Sequence, residues 1–97
     1  MLHTINKSPF DSSSMETCFR FLQAGDAVLF LEDGVYAAQA GTKFAQAVDG
    51  ALQKNALYVL EPDATARGIK NFVSGVQPID YEGFVELVEQ HQVNSWF

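Results

Sequence analysis

The five residues Ala27 to Leu31 (AVLFL) are apolar without interruption. A run this short is too brief for a buried helix, and it lacks the alternation of a half-exposed strand, so it calls for a strand covered on both faces. Such strands lie inside parallel sheets, and parallel neighbours have to be joined by crossover segments. The chain on either side of the run supplies them. Leu2 to Asn6 alternates and is broken by Lys7-Ser8-Pro9, which predicts a first strand. Ser13-Ser14-Met15-Glu16 reads as a helix start in which the Ser13 side chain caps the amide of Glu16 and Glu16 reaches back. That helix is expected to run to about Gln23 and to close at Ala24-Gly25-Asp26.

Beyond the apolar run, Glu32-Asp33-Gly34 reads as a turn and Val35 to Ala40 as a short helix stopped by Gly41. Thr42 to Ala51 is the least legible segment and is read as a further short crossover helix. Leu57 to Leu60 is a third strand, and Glu61-Pro62-Asp63 opens a helix ending at Gly68, with proline in its permitted first turn. Val76 to Ile79 is a fourth strand. Asp80 caps a helix from about Tyr81 that lines Phe84, Leu87 and Val88 on one face, and Val93 to Phe97 is a fifth strand. Strand and helix alternate throughout. The expected fold class is therefore α/β, one domain over residues 1–97, with a mostly parallel sheet between helices.

The 97 residues suffice for one core and not for two. The longest apolar run falls far short of the roughly 20 residues that cross a bilayer, and MLHTINKSPF lacks the regions of a signal peptide, so a soluble, cytoplasmic protein is expected. Twelve acids against six bases give a formal charge of −6, and the bases Lys7, Arg20, Lys43, Lys54, Arg67 and Lys70 are scattered. That balance repels a phosphate backbone and argues against direct nucleic-acid binding. No GxGxxG or GxxxxGK[ST] loop cradles a phosphate, and no CxxC pair or Cys/His cluster offers a metal site, so no cofactor is expected.

In open α/β sheets, ligand chemistry gathers beyond the carboxyl ends of the strands. Asn6-Lys7-Ser8-Pro9, Glu32-Asp33-Gly34 and Glu61-Pro62-Asp63 occupy those places. Glu32, Asp33, Glu61 and Asp63 are either a carboxylate cluster for cation or acid/base work, or the solvated caps that acids at turns and helix starts usually form. Cys18 is the single cysteine. It is either a sulfur-handling nucleophile or a piece of core, and His3 is the histidine that a Cys/His pair would use as base. At about 100° per residue, Cys18 falls between Leu22 and Phe21 on the first helix, opposite Glu16, Arg20 and Gln23, which favours the core reading. Arg20 lies about 200° away around the helix and does not support a thiolate. His91, near the end of the last helix, reads as a residue suited to that helix's negative end.

Four segments in order carry a family resemblance: MLHTINKSPF, METCFRFLQAGDAVLFLEDGVYAA, LYVLEPDATARGI, and IDYEGFVELV with Trp96 near the end. Together they resemble the DsrH/TusB family over nearly the whole chain. The resemblance implies a DsrE/DsrF-like α/β fold, a three-layer sandwich around a five-stranded parallel sheet. It also implies a small sulfur-relay subunit in a heterohexamer with DsrE/TusD-like and DsrF/TusC-like partners, passing persulfide sulfur to a DsrC/TusE-like carrier. The principal sulfur-accepting cysteine of such complexes belongs to the DsrE/TusD subunit, so no residue here inherits it. Cys18 resembles the DsrH branch, which serves sulfur oxidation, and would be an auxiliary persulfide site in an otherwise non-catalytic subunit. The TusB branch, serving tRNA 2-thiouridine formation, is the alternative. The rival from another class is a stand-alone cysteine hydrolase using Cys18 and His3. A subunit needs apolar docking surface, for which Phe19 or Phe21, Tyr36 and Trp96 are the expected contributors.

Overall fold

The computed structural model describes residues 1–97. Its strands are β1 (Leu2–Ile5), β2 (Ala27–Phe30), β3 (Ala56–Leu60), β4 (Gln77–Ile79) and β5 (Val93–Trp96). They form one sheet in the order β4-β3-β2-β1-β5, and every pairing is parallel. The fully apolar run occupies the central strand. Val28, Leu29 and Phe30 are completely buried, as a strand covered on both faces must be.

The helices are α1 (Ser14–Phe21), α2 (Ala45–Leu52), α3 (Glu61–Ala66) and α4 (Tyr81–Gln90), with a 3-10 helix over Glu32–Ala38. Alternate strand residues divide between two cores. Ile5, Val28, Phe30, Leu57 and Val59 pack with Met15 and Cys18 of α1, Val35 of the 3-10 helix, Val48 of α2 and Ala64 of α3. On the other face, Leu2, Ala27, Leu29 and Leu60 pack with Leu87 of α4, and Phe84 leans against them. The chain steps from β1 to β4 in one direction, then returns past β1 to lay down β5. Right-handed crossovers put the connections of an outward march on one face and the returning connection on the other. Hence α4 stands alone on its side, and the three-layer α/β sandwich with a five-stranded parallel sheet is the observed architecture.

Local departures from the sequence reading have identifiable causes. Ser13 makes no side-chain cap; Ser12 takes that role by accepting the Ser14 amide at 3.1 Å, while the Ser14 hydroxyl donates to the Phe97 carbonyl at 3.0 Å. Helix α1 stops at Phe21 rather than Gln23, because Leu22 turns extended and the Asp26 carboxylate accepts the Gln23 amide at 3.1 Å. The expected turn at Glu32-Asp33-Gly34 is the start of the 3-10 helix. Two sequence signals hold as read. The Asp80 side chain accepts the Gly83 amide at 2.8 Å at the start of α4. The amides of Gly68 and Ile69 return to the carbonyls of Thr65 and Ala64, closing α3 in a Schellman arrangement.

Gly34 holds the crossing of two loops together. Leu31 donates to the Ile5 carbonyl at 3.1 Å and Gly34 donates to the Leu31 carbonyl at 2.9 Å, so the chain leaving β2 folds over the end of β1. A Cβ on Gly34 would lie 1.9 Å from the Ile5 carbonyl oxygen. Backbone on both sides leaves nothing to yield. Gly34→Ala is expected to destabilise the protein by about 3 kcal/mol or more, at the upper end of overpacking costs, as read from the shift of a urea unfolding midpoint; a shift below 1 kcal/mol would show that the loop can relax.

Candidate functional site

Cys18 projects from α1 into the larger core and has no solvent exposure. Burial pushes its thiol up from 9.0 to about 12, and the nearby Asp26 charge adds to the rise. At neutral pH it is therefore a protonated, apolar-packed group with few thiolates to attack a sulfur donor.

His3 shares the α1-facing side of β1 with Ile5, but its ring is committed elsewhere. The Trp96 indole N–H donates to Nδ1 at 3.0 Å. Nδ1 must then be the acceptor, so Nε2 carries the proton and donates to Asp26 Oδ2 at 3.0 Å. Asp26 also accepts the Gln23 amide at 3.1 Å and the Met1 ammonium at 3.2 Å. The His3 hydrogen bond foremost, with the Gln23 amide and the terminal ammonium, holds the Asp26 carboxyl down at about 2. No hydrogen bond joins His3 to Cys18, and both ring nitrogens are occupied. The pair required by the hydrolase reading does not assemble.

This network lines an open groove of about 380 Å³ between Phe21 at the end of α1, Gln23 in the turn after it, and the edge strand β5 (Asn94, Trp96). Phe21 stacks on Trp96 with ring centroids 6.1 Å apart and is 64% exposed. Of the expected docking residues, Phe21 and Trp96 come together at this rim, while Phe19 and Tyr36 pack against the core. Asp26 was missed from sequence, although an acid just before a buried strand and a histidine inside its neighbour are the signal that could have found it.

At the carboxyl ends of the strands, two of the four acids, Asp33 and Asp63, accept hydrogen bonds through their carboxylates. Asp63 accepts the Glu32 amide at 2.6 Å, which stabilises Glu32 at its left-handed φ of +50°. Arg67 donates to Asp33 at 2.9 Å and to the Asp63 carbonyl at 3.1 Å. No three His, Cys, Asp or Glu side chains converge on a metal-sized site. No helix is long and apolar enough to cross a membrane.

A single five-stranded parallel sheet with helices on both faces defines a small three-layer α/β protein. The fold is similar to a crystal structure of the YchN protein of Escherichia coli, with a TM-score of 0.81, 16% identity, and 98% of this chain and 97% of that one covered. It is also similar to the solution structure of Tm0979 from Thermotoga maritima, with a TM-score of 0.66, 23% identity, and 95% of both chains covered. The model of DsrH-like proteins matches residues 7–94, and the chain belongs to that family. Protein TusB of Pectobacterium parmentieri is 40% identical over 98 residues, covering 99% of this chain and 100% of the relative. Protein TusB of an Escherichia coli O1:K1 strain is 38% identical over 92 residues, covering 94% of each.

Two measurements probe the site. Iodoacetamide at pH 8 is expected to leave Cys18 unmodified in the native protein and to modify it fully in denaturant; rapid native labelling would contradict the burial. The pH dependence follows from the shifts. The Cys18 contribution to stability is full below pH 9 and is lost as pH rises toward 12, because the unfolded thiol ionises first. The Asp26 contribution is full above about pH 4 and is lost as pH falls through about 2, since the native carboxylate resists protonation longest. Urea midpoints across those windows should decline at both ends, with the acid decline reduced in Asp26→Asn.

Proposed function

We propose that this chain is a TusB-type, non-catalytic subunit of a cytoplasmic sulfur-relay complex whose product is the 2-thiouridine of tRNA. The observation that carries this reading is full-length similarity to proteins named TusB, at 40% and 38% identity, in a chain whose only thiol is buried. Its sister subunits are DsrE/TusD-like and DsrF/TusC-like proteins in a heterohexamer, and the complex hands persulfide sulfur to a DsrC/TusE-like carrier. Persulfide transfer needs an accessible thiolate, and Cys18 is neither accessible nor readily ionised, so the sulfur-bearing cysteine lies on another subunit. Cys18 contributes packing.

The sulfur-oxidising, DsrH-type reading rests on Cys18 as a branch marker. A buried cysteine is weak support for it, because a small apolar residue in this core position requires no sulfur chemistry. The relatives' names favour tRNA thiolation instead.

Two experiments test the proposal. Co-expression with the TusC-like and TusD-like proteins should give one assembly larger than the isolated chain by light scattering; a chain that stays alone removes the complex from the reading. In a bacterial strain lacking TusB, this chain and Cys18→Ala should both restore tRNA 2-thiouridine measured by mass spectrometry. Restoration by the wild type but not by Cys18→Ala, with the variant's fold intact, would return Cys18 to the relay. Cys18→Ala itself is expected to cost about 1 kcal/mol of stability, the scale of removing one buried heavy atom.

A further inference from the structure

We propose that the outer side of α4 is a docking surface for a basic, partly apolar face of a sister subunit. The inference rests on the reading of this chain as a subunit of the relay complex.

A surface helix that only completes its own core needs one apolar stripe. Helix α4 has a second. Phe84 and Leu87 face the sheet and pack with Leu2, Leu29 and Leu60. Tyr81, Val85 and Val88 follow at i, i+4 and i+7, so they share an adjacent side, and they are 58%, 54% and 42% exposed. On the α4 side of the sheet, five buried residues form the core, against fifteen on the opposite face. Val93 of β5, opposite Leu2 in register and hence on this same face, is also exposed. Four of the eight large apolar side chains left exposed, Tyr81, Val85, Val88 and Val93, therefore lie on the side where a single helix spans the sheet.

Charge decides what covers it. Glu82, Glu86 and Glu89 are exposed along the border of the stripe, and α4 carries no lysine or arginine. A two-fold contact between copies of this chain would bring both rows of three glutamates into one interface with no basic residue of α4 to offset them, and concentrated like charge opposes association. Nucleic acid and anionic lipid are repelled for the same reason. A protein face with apolar side chains for Tyr81, Val85 and Val88, bordered by lysine or arginine for the glutamates, satisfies both features. Glutamates at the rim steer the encounter and select the partner, while the apolar stripe supplies the buried contact.

The test uses the assembled complex of this chain with its TusC-like and TusD-like proteins. Hydroxyl-radical footprinting should label Tyr81 in the isolated chain and at least fivefold less in the complex. The triple variant Glu82→Lys/Glu86→Lys/Glu89→Lys should raise the dissociation constant at least tenfold at about 0.15 M salt, with a smaller penalty at high salt, and Val85→Asp should weaken assembly at both. Circular dichroism checks that the variants fold. A complex that forms with Tyr81 labelled as in the free chain, and with the triple variant assembling like wild type, overturns the α4 assignment and leaves the subunit reading standing. Absence of any complex overturns both. Protection of Tyr81 in the isolated chain as its concentration rises, or only after the TusE-like carrier is added, assigns the surface to another occupant and overturns the proposal.

Discussion

Burying both faces of β2 is the constraint from which the architecture follows. A strand without a polar side can be satisfied only with paired neighbours on both edges and apolar cover above and below. Here β1 and β3 supply the edges, Ile5, Val35 and Val59 belong to the core on one face, and Leu2, Leu60 and Leu87 to the core on the other. The division of cover is unequal. Three crossovers crowd one face, and the one long return, through α4, serves the other. The same arrangement that hides Cys18 under α1 leaves the outer side of α4 without a neighbour in its own chain.

The chemistry of the chain is consistent with that division. Its most nucleophilic side chain is spent on packing, and its buried histidine is fixed between an acceptor-seeking indole and a carboxylate. Donation from Trp96 sets the tautomer of His3, donation from His3 anchors Asp26, and Asp26 in turn ends α1 by holding the Gln23 amide. These links tie the first strand, the α1–β2 turn and the last strand together. They are stabilising connections between elements, and they leave no free lone pair on the imidazole to act as a base.

Much of the fold was legible because local signals and global demands agree. The unbroken apolar run could only be a central strand, Pro62 and Asp80 mark helix starts by what their backbone or side chain can do, and Gly68 closes α3 from a left-handed conformation. Other features depend on distant partners and were not legible. Ser12 rather than Ser13 accepts the first amide of α1, and the Ser14 hydroxyl beside it donates to the Phe97 carbonyl, 83 residues away. The groove needs Asp26 and Trp96 beside His3, separations of 23 and 93 residues that no periodicity encodes. Cys18 lay between these cases: its helical phase pointed to the core, and only the packed structure established that the thiol is fully covered.

The pairing of β1 with β5 joins Leu2–Ile5 to Val93–Trp96, the two ends of the chain. In the order of the chain β5 follows every other strand, so β1 can pair with β2 while its other edge stays open until Val93–Trp96 is available. An open parallel edge beside an apolar core is an invitation to pair with the wrong strand. A nascent chain stalled before Val93 would therefore present that bare edge of β1 for as long as the stall lasts.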